Sequence, residues 1–225
     1  MLKIGHRGAK GYAPENTLLS FQKAIEMGVD GIELDVHLSA DGQIIVIHDA
    51  TIDRTTNGQG VVNSLSLREL KGFRIENEHE IPTLIEVFNL VNKRCFINIE
   101  LKGKGTALPV LALIEKYVSK KNWQYHHFLI SSFDWVSLLD IHLAQPTIPL
   151  GVLTEYDIDL AFAFAKHIQA QSIHSYFHLL SKEKTAKIRE EGFRILAWTV
   201  NETEDIQKIK SFHINGIITD YPDRI

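Results

Sequence analysis

Four short stretches of this chain combine histidine, basic and acidic residues: "IGHRG" at 4–8, "GIELDV" at 31–36, "VIHD" at 46–49 and "NIELKGK" at 98–104. In the second, Glu33 and Asp35 alternate with Ile32, Leu34 and Val36. On a strand, both acids project from one face and the apolar residues from the other. Glu100, between Ile99 and Leu101, repeats the pattern. Carboxylates pointing inward from hydrophobic strands repel one another and are costly to bury unless a cation joins them. That cation is either a base such as Arg7 or Lys102, or a metal. Three oxygen donors of this kind suit one hard divalent ion, Mg²⁺ or Ca²⁺.

His6 and His48 can titrate near neutral pH, which suits general acid/base work. Arg7 can fork onto a phosphate and Lys102 can add a point charge. Gly8 and Gly11 would let the backbone approach a ligand closely. A metal touching the phosphate would ease attack at phosphorus. Together these parts point to metal-assisted hydrolysis of a phosphate diester.

Such residues need a scaffold that gathers them at one end. Nine β-like runs ("LKIG", "GIELDV", "IIVIH", "CFINIEL", "HFLISS", "PLGVL", "SIHSY", "RILAWTV" and "GIITD") alternate with amphipathic segments. The repeated β-then-α order predicts an α/β fold, a closed TIM (β/α)8 barrel, with the functional groups at the C-terminal strand ends. Nine runs are one too many for eight barrel strands. The link between "GIELDV" and "IIVIH" is too short for a parallel crossover, so these two form an antiparallel hairpin. A two-residue turn at Asp41-Gly42 would set Asp35 opposite His48. Thr83 with Glu86 and Ser66 with Glu69 read as capping boxes, and Asp134, Ser181 and Thr203 as N-caps. Residues 49–82 form a long connection with turn signals and one short helix, and a connection of that length is usually functional.

Composition narrows the partners. The formal charge of −4 offers no basic field, which argues against nucleic acid or an anionic membrane as partner. The single cysteine, Cys95, lies in a hydrophobic run, reads as a buried inert thiol and fits a reducing compartment. "MLKIGHRG" has no apolar leader and no run approaches a membrane span, so the expected location is the cytoplasm, with no membrane insertion. The 225 residues read as one barrel domain, 1–225; its oligomeric state is unspecified.

The sequence resembles the glycerophosphodiester phosphodiesterase family. The matching motifs are "HRG" at 6–8, "PENT" at 14–17, "GIELDV" at 31–36, "DGQIIVIHD" at 41–49 and "RTTNGQG" at 54–60. Others are "IPTLIEV" at 81–87, "NIELK" at 98–102, "SSF" at 131–133, "WTVN" at 198–201 and "GIITDYP" at 216–222. The resemblance implies a TIM barrel with a small insertion, about 49–82, after the "HD" motif. It implies hydrolysis of small glycerophosphodiesters to sn-glycerol 3-phosphate and an alcohol. It also implies one divalent cation held by Glu33, Asp35 and Glu100, with His6 and His48 as the acid/base pair. Arg7 and Lys102 would contact phosphate, Glu15 would belong to the polar site shell, and Phe133 and Trp198 would line the alcohol pocket. For Trp198, barrel packing and substrate lining both remain open. Asn57, Gly58 and Gly60 fit turn geometry as well as ligand contact. His37, Asp49, Asn98 and Asp220 are candidates for a supporting layer, and the remaining histidines read as surface or loop residues. The chain ends just after "TDYP", without room for a full closing helix. One rival is a lysophospholipase D-like or sphingomyelinase D-like enzyme, for which the 49–82 segment is too polar. Another is a non-catalytic ligand-binding barrel, whose usual mark would be a lost histidine or carboxylate.

Overall fold

The computed structural model describes residues 1–225. All nine β-like runs fold as strands. They are β1 (Leu2–Gly5), β2 (Gly31–Leu38), β3 (Ile44–Val46), β4 (Phe96–Leu101), β5 (Phe128–Ser132), β6 (Leu150–Thr154), β7 (Ser172–Tyr176), β8 (Arg194–Trp198) and β9 (Gly216–Thr219). Eight run parallel in the order β1-β9-β8-β7-β6-β5-β4-β2, and β1 pairs with β2 to close the barrel. The helices between them are α1 (Leu18–Glu26), α2 (Leu67–Leu70), α3 (Leu84–Val91), α4 (Ala107–Lys121), α5 (Trp135–Ala144), α6 (Ile158–His167), α7 (Lys182–Glu190) and α8 (Thr203–Lys210). A 3₁₀ turn at Pro222–Arg224 follows β9.

The main core lies between sheet and helices, built from outward-facing residues such as Ile32, Leu34, Ile97, Ile99 and Ile130. Inside the barrel a small apolar layer of Ile4, Leu196 and Ile218 lies below the mouth. Register explains why the acids meet. Asp35 of β2 pairs with Glu100 of β4, and Glu33 with Asn98, so inward positions of neighbouring strands fall side by side.

Both capping boxes form, at Ser66–Glu69 before α2 and Thr83–Glu86 before α3. Losing such a cap typically costs about 1 kcal/mol. Asp134 and Ser181 cap α5 and α7. Before α8 the N-cap is Glu202, one residue earlier than the expected Thr203, and it makes no side-chain cap.

The hairpin differs from expectation by one residue. β2 and β3 pair Val36 with Val46, His37 with Ile45 and Leu38 with Ile44. The turn has three residues, Ala40–Gly42, and ends on Gly42 at φ +75°, a left-handed position that glycine occupies without strain. Asp41 is drawn out of a two-residue turn: it accepts from Ser39 Oγ at 2.6 Å and from the Leu67 N–H at 3.0 Å. Asp35 therefore faces Ile47, whose N–H donates to the Asp35 carbonyl at 3.1 Å, and not His48.

Residues 49–82 carry α2 and a 3₁₀ turn at Val62–Ser64. Ile52, Val62, Leu70, Ile75 and Ile81 pack with Ile45 and Ile47 of the hairpin into a separate small core. Asn57 accepts from the Arg74 N–H at 2.9 Å, and Gly58 gives way to the Phe73 ring, so these motif residues shape the insertion itself. Packing also requires glycine at Gly8 and Gly11. A β-carbon at either would collide, with Ser20 and with the Tyr221 ring respectively. His174 is no surface residue. It is fully buried inside the barrel, where Gly151 on the adjacent strand leaves room for its ring. Burial alone holds it neutral, lowering its pKa to about 3.

Candidate active site

Glu33, Asp35 and Glu100 converge at the C-terminal end of the barrel, each offering an oxygen within 4.8 Å of the other two. All three are buried, Asp35 at 1 % exposure. Burial first, then the charges of Asp35 and Glu100, push the Glu33 carboxyl well above the usual range. The same burial and the Asp35 charge raise Glu100 to about 7 against the pull of Lys102. Glu33 Oε1 is buried with no hydrogen-bond donor, and Glu100 Oε1 has only the Lys102 ammonium, at 2.9 Å. Oxygens this far apart can share one cation with Ca²⁺-like bond lengths of about 2.3–2.6 Å. The donor set and its unrelieved repulsion therefore fit a hard divalent ion.

Three groups hold the acids in place. The Arg7 N–H donates to Glu33 Oε2 at 2.9 Å, with Arg7 itself in a left-handed conformation (φ 50°). Asn16 Nδ2 donates to Asp35 Oδ2 at 2.9 Å. Arg7 Nε lies 3.4 Å from the same oxygen and has no hydrogen-bond partner. Arg7 Nη1 donates to Glu15 Oε1 at 2.8 Å. Burial pushes Glu15 up, but hydrogen bonds from Arg54 and Arg7 and their charges overcome it and hold the carboxyl at about 2.

The two histidines share one design. His6 Nδ1 meets Asp220 Oδ1 at 2.6 Å, and His48 Nδ1 meets Asp49 Oδ1 at 2.6 Å. Both rings line the pocket, so Nε2 is the nitrogen left to face a substrate. Burial lowers both pKa values below the ordinary 6.5, more than their aspartates raise them. Asp220 is held in turn by Asn201, whose amide donates to Oδ2 at 2.9 Å. His37 Nε2 lies 3.0 Å from the His48 carbonyl and steadies the backbone there.

A cavity of about 110 Å³ joins these groups: His6, Arg7, Glu33, His48, Glu100 and Lys102 form its polar wall. Phe133 and Trp198 stand edge to face at 5.5 Å and add an aromatic part to its lining, with the Lys102 ammonium 5.7 Å from the Phe133 ring. Trp198 has packing contacts and a place in the cavity wall. It packs on the barrel's inner apolar layer and lines the cavity, while its indole N–H donates to the His174 carbonyl at 3.0 Å. Another cavity, of about 970 Å³, opens at the other end of the barrel, around Leu2, Phe96, Leu129 and Arg194, and contains none of these groups.

Residues 6–224 match the glycerophosphoryl diester phosphodiesterase family. The chain belongs to that family. Its relatives include a glycerophosphodiester phosphodiesterase of Caldanaerobacter subterraneus, 36 % identical over all of this chain and 96 % of the relative. Another, from Bacillus altitudinis, is 38 % identical over the same shares. Among solved structures, an Oleispira antarctica phosphodiesterase in complex with the product sn-glycerol-3-phosphate superposes with a TM-score of 0.89. It is 28 % identical, over 99 % of this chain and 94 % of that one. The enzyme from Thermotoga maritima is 31 % identical with a TM-score of 0.83, over 99 % of this chain and 96 % of that one. This phosphodiesterase therefore shares the barrel of that family and its chemistry, hydrolysis of glycerophosphodiesters.

The ten residues expected to catalyse, bind substrate or hold the metal lie at one end of the barrel. Nine line the pocket or complete its acidic cluster; Glu15 sits behind Arg7, saturated by two arginines. Asn16, Arg54 and Asn201 were not singled out. Each lies inside a quoted motif ("PENT", "RTTNGQG", "WTVN"), which was the available signal, but each has a partner 19 to 39 residues away in sequence.

Proposed function

We propose that the chain hydrolyses small glycerophosphodiesters to sn-glycerol 3-phosphate and an alcohol, with one divalent cation, Mg²⁺ or Ca²⁺, held by Glu33, Asp35 and Glu100. When bound, that cation offsets the carboxylate charge and draws electron density from the phosphate. Arg7 and Lys102 hold the phosphate oxygens. His6 and His48, each fixed by an aspartate through Nδ1, present Nε2 to the reacting oxygens. One takes a proton at the attacking oxygen, of water or of the neighbouring glycerol hydroxyl, and the other protonates the leaving alkoxide. Phe133 and Trp198 give the alcohol side an apolar wall. Glu15 acts from behind, by aiming Arg7.

The observation that carries this reading is the pair of aspartate-anchored histidines lining one pocket with the buried acid cluster. The Oleispira antarctica relative, described with sn-glycerol-3-phosphate as its product, supports the choice of substrate. The insertion buries most of its apolar residues in its own core, which favours water-soluble diesters over acylated ones. Residues 1–225 act as one barrel unit with 49–82 as its insertion. No helix is long and apolar enough to cross a membrane. The one thiol, Cys95, is buried and raised by that burial to about 11, in keeping with a reducing cytoplasm as the site of action.

The test is turnover of glycerophosphocholine by protein stripped with EDTA, with metal content measured alongside. Stripped protein should be inactive and recover with Mg²⁺ or Ca²⁺. Full activity in metal-free protein would contradict the proposal.

A further inference from the structure

Arg54 stands on the insertion and does not line the pocket, yet its guanidinium is divided between two carboxylates that each hold a residue of the site. Nε and Nη2 donate to Asp49 Oδ2 and Oδ1 at 2.6 and 3.2 Å. Nη2 and Nη1 donate to Glu15 Oε1 and Oε2 at 2.7 and 3.1 Å. Asp49 anchors His48, and Glu15 anchors Arg7. A continuous chain His48–Asp49–Arg54–Glu15–Arg7 thus runs from the hairpin to the loop between β1 and α1.

Only a planar fork can serve two carboxylates in this way; an ammonium offers a point charge with no matching geometry. The bridge is also poorly explained as a stabilising device. The Arg54 side chain is 49 % exposed, and ion pairs in that setting contribute little to folding. Without Arg54, Asp49 has only His48 to fix it, and Glu15 has Arg7 and a distant Lys10 at 3.9 Å.

We propose that Arg54 is a positioning residue: it holds His48 and Arg7 in their working orientations and makes that half of the site depend on the insertion being docked against the β1–α1 loop. The proposal rests on the acid/base reading of His48 for its kinetic consequences, but the positioning itself can be read without turnover.

The experiment compares Arg54→Ala, Arg54→Lys, His48→Ala and the Arg54→Ala/His48→Ala double variant on glycerophosphocholine. It also follows the downfield Nδ1–H proton resonance of His48 by NMR, identified by its absence in His48→Ala. Arg54→Ala should lower kcat by on the order of tenfold, no more than the loss of the Asp49 anchor it supports, and raise KM as Arg7 slackens. The His48 resonance should shift or broaden away. The double variant should lose far less kcat than the product of the two single losses, because Arg54 acts on kcat mainly through that ring, while the KM rise from Arg7 persists; Arg54→Lys should recover only part of the loss. Native kcat and KM in Arg54→Ala, or losses that multiply in the double variant, would overturn the proposal. If His48→Ala itself keeps native kcat, the acid/base reading falls and the NMR signal decides. Its loss in Arg54→Ala sustains the positioning role, and an unchanged signal overturns it.

Discussion

His6 and His48 use the same ring nitrogen on the same kind of partner at the same 2.6 Å, yet the two halves of the mouth are built from opposite materials. His6 is anchored across 214 residues, by Asp220 just after the last strand, and that aspartate is fixed by the neutral amide of Asn201 after β8. Barrel closure does this positioning. His48 is anchored by its own neighbour, Asp49, and the whole unit hangs on a loop that needs an arginine to pin it. Exposure follows the same division: the His6 and Asp220 side chains are each 15 % exposed, His48 and Asp49 27 % and 29 %. A partner supplied by long-range topology is rigid because the sheet cannot move. A partner supplied locally comes at little entropic cost but leaves the loop to be held by charge.

The largest expected effect breaks the symmetry of the two anchors. Asp220→Asn should lower kcat by on the order of 10²-fold or more, since it disturbs the tautomer of a ring with little water to take the aspartate's place. Asp49→Asn should cost about tenfold, because solvent reaches His48 and can replace part of the lost bond. Steady-state kcat for the two variants checks this, and equal losses would mean that exposure does not distinguish the halves.

A smaller effect concerns the charged clamp. Glu15 sits at about 2 in the folded chain against an ordinary 4.5, because hydrogen bonds from Arg54 and the Arg7 charge outweigh burial. A carboxyl lowered by folding adds stability above its unfolded pKa, and that stability is lost as pH falls from about 4.5 through about 2. Removing Arg54 raises the folded value and shrinks this contribution. Thermal melts should therefore show wild type a few degrees above Arg54→Ala at pH 7, consistent with a partly exposed pair. The gap should close between pH 4.5 and 2. A gap unchanged at low pH would mean that Arg54 contributes by packing and not by charge.

The same division marks how far the sequence could be read. Strand periodicity, alternating acids and capping pairs are local patterns, and they located all nine strands, both capping boxes and the acidic cluster. What depended on a single residue's geometry was missed. Asp41 was drawn away to Ser39 and Leu67, which lengthened the turn and shifted the register by one, although His48 still reached the pocket once the ladder ended. His174 was unreadable because its burial comes from a glycine on a neighbouring strand. Asn16, Arg54 and Asn201 stood in plain view within motifs, but their work is done across the fold, and periodicity carries no information about which side chains meet there.

The most direct test of the two-histidine account is kcat for His6→Ala and His48→Ala on two diesters, glycerophosphocholine and an analogue with a nitrophenol leaving group. Both variants should lose roughly 10²–10⁴ in kcat on glycerophosphocholine, whose alkoxide must be protonated as it departs. On the nitrophenyl analogue, which leaves without a proton, one variant alone should recover most of its activity, and its missing histidine is then the general acid. Near-normal kcat on glycerophosphocholine in either variant, or recovery in both or in neither, would contradict the account.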